Sequence, residues 1–381
     1  MRVAFFSHSA GLYGAERSLL DLVLGLKKSG IHPVVILPTY GDLVDALNEH
    51  NIQSIIFMHY GWIGRRYKMI KGTYRYLFNR LAVNFLTSRL SNEGFDLVYS
   101  NTIYSPMGAL VARSLNIKHI LHIREFVHED MGADFDYGTS YATKFVANTS
   151  SYLVYNSYAV RTKFEPFFVD VPSVVIYNGW LAGKPPCSTN REMLTHKKTI
   201  KLCIVGSVHR GKGQHKAIEA LSILKRNFPN ITLNIVGTGD ISYIRELKEL
   251  CSARQVSSCV NWFGFSNNVA EIFRQSDIAL VCSENEAFGR VVVESMAEGC
   301  PVVGSDSGGI PEIIIQGKNG LMYDGSFEDL ARQVCILIND PELYTLIVKE
   351  GIIDVYNRFG HKNYVGQVRH LLERVSGNED Y

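Results

Sequence analysis

Short apolar runs alternate with longer amphipathic stretches along this 381-residue chain. In the first half, the runs Val3–Ser7, Val34–Leu37, Ser54–Met58, Leu97–Asn101, His119–Ile123, Leu153–Asn156 and Ser173–Tyr177 predict strands. Between them, Gly14–Lys28, Leu43–His50 and Pro106–Leu115 carry apolar residues at helical spacing. Strand–helix alternation of this kind predicts an α/β fold: a mostly parallel sheet with helices on both faces.

The pattern breaks at Gly183-Lys184-Pro185-Pro186 and stays polar to Lys198, which predicts a linker over 181–198. It then restarts. Leu202–Val205, Thr232–Val236, Val260–Phe263, Ile278–Cys282, Pro301–Val303 and Leu321–Tyr323 predict strands, and Gln214–Phe228, Ile241–Gln255, Val269–Gln275 and Gly289–Glu298 predict helices. The chain is therefore expected to form two α/β domains, 1–180 and 199–358. A ligand cleft is expected where open sheets bind ligands, outside the carboxyl ends of the strands. Tyr364, Val368, Leu371, Leu372 and Val375 recur at helical spacing. They predict a terminal amphipathic helix over about 359–381 that packs back on the N-terminal domain.

Composition narrows the partners. A hydrophobic content of 46% supports two sizeable cores, and a net charge of only +2 provides no field for nucleic acid. All seven cysteines fall between Cys187 and Cys335, and no CxxC pair occurs. Buried free thiols in a reducing cytoplasm are the expectation, with no zinc site. The apolar run in MRVAFFSHSAG is too short for a signal peptide, and no stretch approaches the ~20 apolar residues of a membrane-spanning helix. From Trp62 to Leu90 there are seven Lys or Arg residues and no acid, interleaved with aromatic and aliphatic residues. That pattern suits an anionic membrane surface, or a helix packed on its own domain with a solvated basic face.

Candidate chemistry concentrates in the run EAFGRVVVESMAEGCPVVGSDSGGIPEII, from Glu286 to Ile314. Val292, Val293 and Met296 are the apolar positions of its helix, and Gly299 is the stop. The N–H groups at the helix start, around Phe288, Gly289, Arg290 and Val291, form an anion site. Glu286 precedes it, and Glu294 lies on the same face as Arg290. The second domain opens with KLCIVGSVHRGKGQHK, whose loop after Gly206 places Arg210 and Lys212 where an anion would sit at the sheet edge. The first strand runs into SHSAGLYGAERS, where Gly11 and Gly14 allow close backbone approach to a ligand. His122, Arg124 and Glu125 stand at the carboxyl end of another strand candidate.

Together these stretches resemble the retaining glycosyltransferases of family 4, which have the GT-B architecture of two Rossmann-like domains with a cleft between them. The resemblance spans nearly the whole chain and is strongest from Gly206 to Leu321. It rests on the Glu286/Glu294 spacing, on PVVGSDSGGIPEII, on Lys212-Gly213, on AGLYGAE and on Tyr177-Asn178-Gly179, which resembles the family's hinge. It implies transfer of a sugar from a UDP- or GDP-sugar to a glycan or lipid-linked acceptor, in cell-surface polysaccharide or glycolipid synthesis. The nucleotide-sugar would serve as co-substrate, with no metal and no other cofactor. The enzyme would be cytoplasmic or peripheral on the inner face of the membrane.

By position, the resemblance implies that Lys212 neutralises the donor diphosphate. Backbone N–H groups at Phe288, Gly289, Arg290 and Val291 would hold phosphate oxygens. Glu294 would bind the ribose, Glu286 the transferred sugar, and His122 would lie near the reaction centre. Gly14 would let backbone reach the diphosphate, and Asn261–Gly264 would frame the base. Where the family commonly has Arg directly after the glycine ending the opening strand, this chain has Ser207, with Arg210 the nearby cation. A nucleotide-sugar epimerase of similar architecture and a non-catalytic nucleotide-sugar-binding relative are the competing readings.

Overall fold

The computed structural model describes residues 1–64, 68–181, 194 and 197–377. The chain divides into two compact units: Met1–Leu181 with His361–Tyr381, and Ala182–Gly360. Most of the segment read as a linker, like Arg65, Arg66 and Tyr67 of the basic stretch, lies outside the described residues.

In the first unit the strands are β1 (Arg2–Phe6), β2 (His32–Leu37), β3 (Gln53–Ile56), β4 (Ile63–Gly64), β5 (Leu97–Ser100), β6 (Lys118–Ile123), β7 (Asp134–Phe135), β8 (Tyr152–Tyr155) and β9 (Ser173–Val175). The helices are α1 (Gly14–Lys28), α2 (Asp42–Glu49), α3 (Lys68–Leu90), α4 (Met107–Leu115), α5 (His128–Met131), α6 (Thr139–Thr149) and α7 (Tyr158–Phe164). Seven strands form one parallel sheet in the order β3-β2-β1-β5-β6-β8-β9, and β4 and β7 make a short antiparallel pair outside it. Helices cover the sheet, so its strands are apolar on both faces: Val3, Ala4 and Phe5 of β1 are all fully buried.

The second unit holds β10 (Ile200–Val205), α8 (Gln214–Asn227), β11 (Ile231–Val236), α9 (Ile241–Ala253), β12 (Val260–Gly264), α10 (Val269–Gln275) and β13 (Ile278–Val281). It continues through α11 (Arg290–Ala297), β14 (Val302–Ser305), α12 (Ile310–Ile313), β15 (Leu321–Tyr323), α13 (Phe327–Asn339) and α14 (Pro341–Phe359). Its six-stranded sheet is ordered β12-β11-β10-β13-β14-β15, with every pair parallel. Strand order reverses between β10 and its neighbours β11 and β13, so the loops after β10 and β13 meet at the carboxyl edge. This is the switch point at which such sheets bind ligands.

The chain returns to the first unit as α15 (His361–Ser376). Its buried residues Tyr364, Val365, Val368, Leu371 and Leu372 join Leu19, Leu22 and Leu26 of α1 in one core. Gly25 makes the crossing possible, because a Cβ there would stand 2.3 Å from a methyl carbon of Val365. Among the described residues no helix is long and apolar enough to cross a membrane. Cys203, Cys251, Cys259, Cys282 and Cys300 are buried and Cys335 is partly buried, and none of these six forms a disulfide.

Candidate active site

Strand β10 ends at Val205, just before Gly206, and the chain then makes a tight turn over Arg210–Lys212 before α8. The turn closes against the end of β13. Gly213 has φ +69°, and a Cβ on it would lie 2.3 Å from the carbonyl oxygen of Cys282. This backbone contact brings Lys212 to Glu286, with Nζ to Oε2 at 2.5 Å. Both side chains keep about a quarter of their surface exposed, at 27% and 22%, so the pair is open to solvent rather than sealed in the core.

Burial pushes the Glu286 carboxyl upward, but the charge and hydrogen bond of Lys212, with Ser283 and His209, outweigh it and leave the pKa below the usual range. The backbone of Glu286 is clamped as well. Its carbonyl accepts the Gly309 N–H at 2.7 Å, and Gly308, at φ +59°, packs with its Cα facing that same carbonyl.

Three residues on, Gly289 (φ +104°) turns the chain into α11, whose start has no side-chain cap. Its first N–H groups are therefore donors that the helix itself does not use, at the positive end of its dipole. Arg290 Nε bonds Glu294 Oε1 at 3.1 Å along the first turn. The Phe288 ring is buried, 5.8 Å from the Phe359 ring, so its side chain is not presented to a ligand. Val291 lies on the first turn of the same helix, partly buried.

Lys212, Glu286, the α11 start, Arg290 and Glu294 thus come from one sheet edge of one unit. Ser207 is exposed beside them, and its carbonyl accepts from Gln214 Nε2 at 3.1 Å. Arg210 points elsewhere: it pairs with Glu246 of α9 at 2.5 Å and lies over the Tyr243 ring at 5.4 Å. Both side chains of that pair are largely exposed, at 71% and 54%. The end of β12 and the loop after it expose Phe263 and Phe265, on either side of Gly264, whose carbonyl accepts the Gly237 N–H at 2.7 Å.

Gly14 is the first residue of α1, exposed, with open space where a Cβ would be. His122 differs from the expectation. It is fully buried in β6, with Nδ1 2.6 Å from the Tyr99 hydroxyl. Burial, with the charge of Arg124, holds its imidazole well below the usual range. In this structure His122 therefore has no surface open to a ligand.

The neighbouring Arg124 is also a tie. It donates to Asn101 O at 3.0 Å, to the Tyr364 hydroxyl at 2.8 Å and to Asn178 Oδ1, fixing α15 and the Asn178 segment to β6. A second polar cluster escaped the sequence reading. Ser9 Oγ donates to the buried Glu16 at 2.8 Å, and His8 Nε2 lies 3.4 Å from the same carboxylate. Nothing in the spacing along the chain pairs Glu16 with His8.

Two family models match the chain, Glycosyltransferase Family 4 over residues 13–180 and Glycosyl transferases group 1 over 188–353. The chain belongs to the family 4 glycosyltransferases. The transferase is 26% identical over 298 residues to an uncharacterized glycosyltransferase, MJ1178, of Methanocaldococcus jannaschii, covering 75% of this chain and 78% of that one. It is 31% identical over 157 residues to the lipopolysaccharide core biosynthesis glycosyltransferase LpsE of Rhizobium meliloti, covering 41% and 42%. Matches to other curated relatives span from 34% to 64% of their lengths. In fold it resembles Anabaena HepE solved with UDP-glucose, with a TM-score of 0.78, 21% identity and coverage of 98% of this chain and 100% of that one. The transferase therefore has the GT-B fold.

Proposed function

We propose that this glycosyltransferase is a retaining, metal-independent hexosyltransferase that takes its sugar from a UDP-linked donor bound at the carboxyl edge of the second sheet. The observation that carries the reading is the Lys212–Glu286 pair, exposed on its ligand side and set beside the uncapped start of α11. Breaking the bond between the anomeric carbon and the phosphate oxygen leaves positive charge on the sugar and negative charge on the diphosphate. Lys212 and the N–H groups of Gly289, Arg290 and Val291 meet that negative charge. Glu286 holds the hydroxyls of the sugar, and Glu294 those of the ribose. The acceptor oxygen bonds the anomeric carbon on the face that the phosphate leaves, and its proton passes to the departing diphosphate. The choice of UDP over GDP rests on the HepE likeness, and Phe263 and Phe265 offer exposed rings near the proposed base site.

The test is a thermal-shift screen of nucleotide-sugars, followed by turnover with acceptor. A true donor present at 100 times its Kd stabilises the fold by about 2.7 kcal/mol. UDP-sugars should raise the melting point where GDP-sugars do not, with and without EDTA. A GDP-sugar giving the larger shift would reverse the base assignment, and loss of turnover in EDTA would remove metal independence. Donor binding without cleavage, whatever the acceptor, would favour the non-catalytic reading that Ser207 keeps open.

The acceptor is proposed to be lipid-linked, on the cytoplasmic face of a membrane. Helix α3 supports this reading, since one face is buried through Val83, Leu86 and Leu90 while the opposite face exposes Leu77, Leu81 at 67% and Phe85 at 72%. Basic residues, Arg80 and Arg89 among them, flank that stripe and no acid does, which suits an anionic bilayer. Leu81→Ser/Phe85→Ser and Arg80→Glu/Arg89→Glu are each expected to abolish sedimentation with phosphatidylglycerol vesicles while turnover on a soluble acceptor continues. Undiminished sedimentation of both variants would defeat the membrane proposal.

A further inference from the structure

A cavity of about 90 Å³ lies under the inner side of α3, closed by α4, α6 and the β4–β7 pair. Its wall is apolar and aromatic: Trp62, Val83, Leu110 and Phe145. Two charges also border it, Arg75 and the buried Asp136, but they form an ion pair with each other. The indole N–H of Trp62 is spent on the Ile103 carbonyl at 2.7 Å, so the ring offers the cavity only its apolar surface.

The mouth has a different chemistry. Tyr76, Tyr137 and Tyr141 stand there, each about two-fifths exposed, in edge-to-face and tilted contact at 5.9 and 5.4 Å. Arg80 joins the rim, its guanidinium 3.3 Å from the Tyr76 hydroxyl. An apolar interior, amphipathic rings at the opening and a cation outside describe a site for a hydrocarbon chain that carries an anionic head. The interior has room for only a few carbons, less than the 150 Å³ that holds benzene in an engineered cavity. A sugar ring would bury most of its hydroxyls against that apolar wall.

We propose that this cavity binds the head-proximal hydrocarbon of a lipid phosphate, the anchor of a lipid-linked acceptor, with its phosphate toward Arg80. The inference rests on the acceptor side of the proposed transfer and adds the anchor site to it. The fit of chain to cavity is a property of the first unit alone, so it can be measured without donor or turnover.

Farnesyl phosphate, below its micellar concentration, is the probe, and intrinsic fluorescence is the readout. Of three tryptophans only Trp62 lines this cavity. A saturable change in emission is expected in the native chain and is lost in Trp62→Phe. Leu110→Phe, which fills the interior, and Tyr141→Ala, which dismantles the rim from an exposed position, should each weaken binding about tenfold, the equivalent of 1.4 kcal/mol. Farnesol should bind more weakly than farnesyl phosphate, and that difference should vanish in Arg80→Gln. Inorganic phosphate or a free oligosaccharide producing the same Trp62 signal would overturn the proposal, as would unchanged binding by Leu110→Phe and Tyr141→Ala together. Donor-induced thermal shift is run on every variant. Shift retained with no farnesyl phosphate binding rejects the anchor site and spares the transferase reading. Farnesyl phosphate binding with no donor shift does the reverse.

Discussion

Lys212→Ala should lower kcat about 10²–10³-fold, the usual loss when one group facing developing negative charge is removed. Glu286→Ala should lose about a hundredfold or more through misplacement of the sugar. Neither should unfold the protein. The two side chains keep 27% and 22% exposure, so the pair is partly solvated, and losing it costs about 1 kcal/mol at most. In a unit of this size that is about 2–4 °C in melting temperature.

The pair also has a pH signature. In the native chain the Glu286 carboxyl lies below its usual range. Its contribution to stability is therefore present above the unfolded pKa and is lost as pH falls through the lower folded value. In Lys212→Ala burial is no longer opposed by the ammonium, the folded pKa of Glu286 rises, and the fall in stability on acidification should be shallower than in the native chain. Turnover within twofold of native in both alanine variants, at saturating donor, would remove both residues from the mechanism.

Gly308→Ala is the second large effect. At φ +59° the added Cβ would fall 2.3 Å from the Glu286 carbonyl oxygen and 2.9 Å from its nitrogen. The neighbour is backbone, so no side chain can swing away, and the loop that presents Glu286 has to move. A loss of about 3 kcal/mol or more is expected, from overpacking added to left-handed strain, together with loss of donor binding. Gly317→Ala is the matched control: its φ is +71°, but nothing lies within 4 Å of the added carbon. It should show the conformational penalty alone, about 1 kcal/mol, and keep full activity. Equal melting points for the two variants would show that the contact with Glu286 is unimportant.

Much of the fold was legible in the order of apolar runs. β15, α1 and α10 begin and end where the pattern places them, and other boundaries move by a few residues. Lys212 and Glu286 were legible because both sit at strand ends that the parallel topology brings to one edge. His122 was not legible as a core residue. Alternation along a strand separates buried from exposed positions only when one face of the sheet meets solvent. β6 is covered on both sides, so His119 and His122, on opposite faces, are both buried. For Arg210 the position in the β10–α8 loop gave the sheet edge, but spacing along the chain does not encode its pairing with Glu246 and Tyr243. In α3 a helix apolar on two faces gave one strong signal, and only the packing separates the face that meets α4 from the face left bare.

The seating of α15 on α1 dictates an order of assembly. During synthesis Leu19, Leu22 and Leu26 emerge from the ribosome long before Val368 and Leu372, their partners in one core. The nascent first unit thus waits, with part of its interior wet, while the whole second unit is translated and free to fold. Stop codons placed between 360 and 376 should accordingly yield chains that are made in full measure but fall to proteases through the N-terminal half.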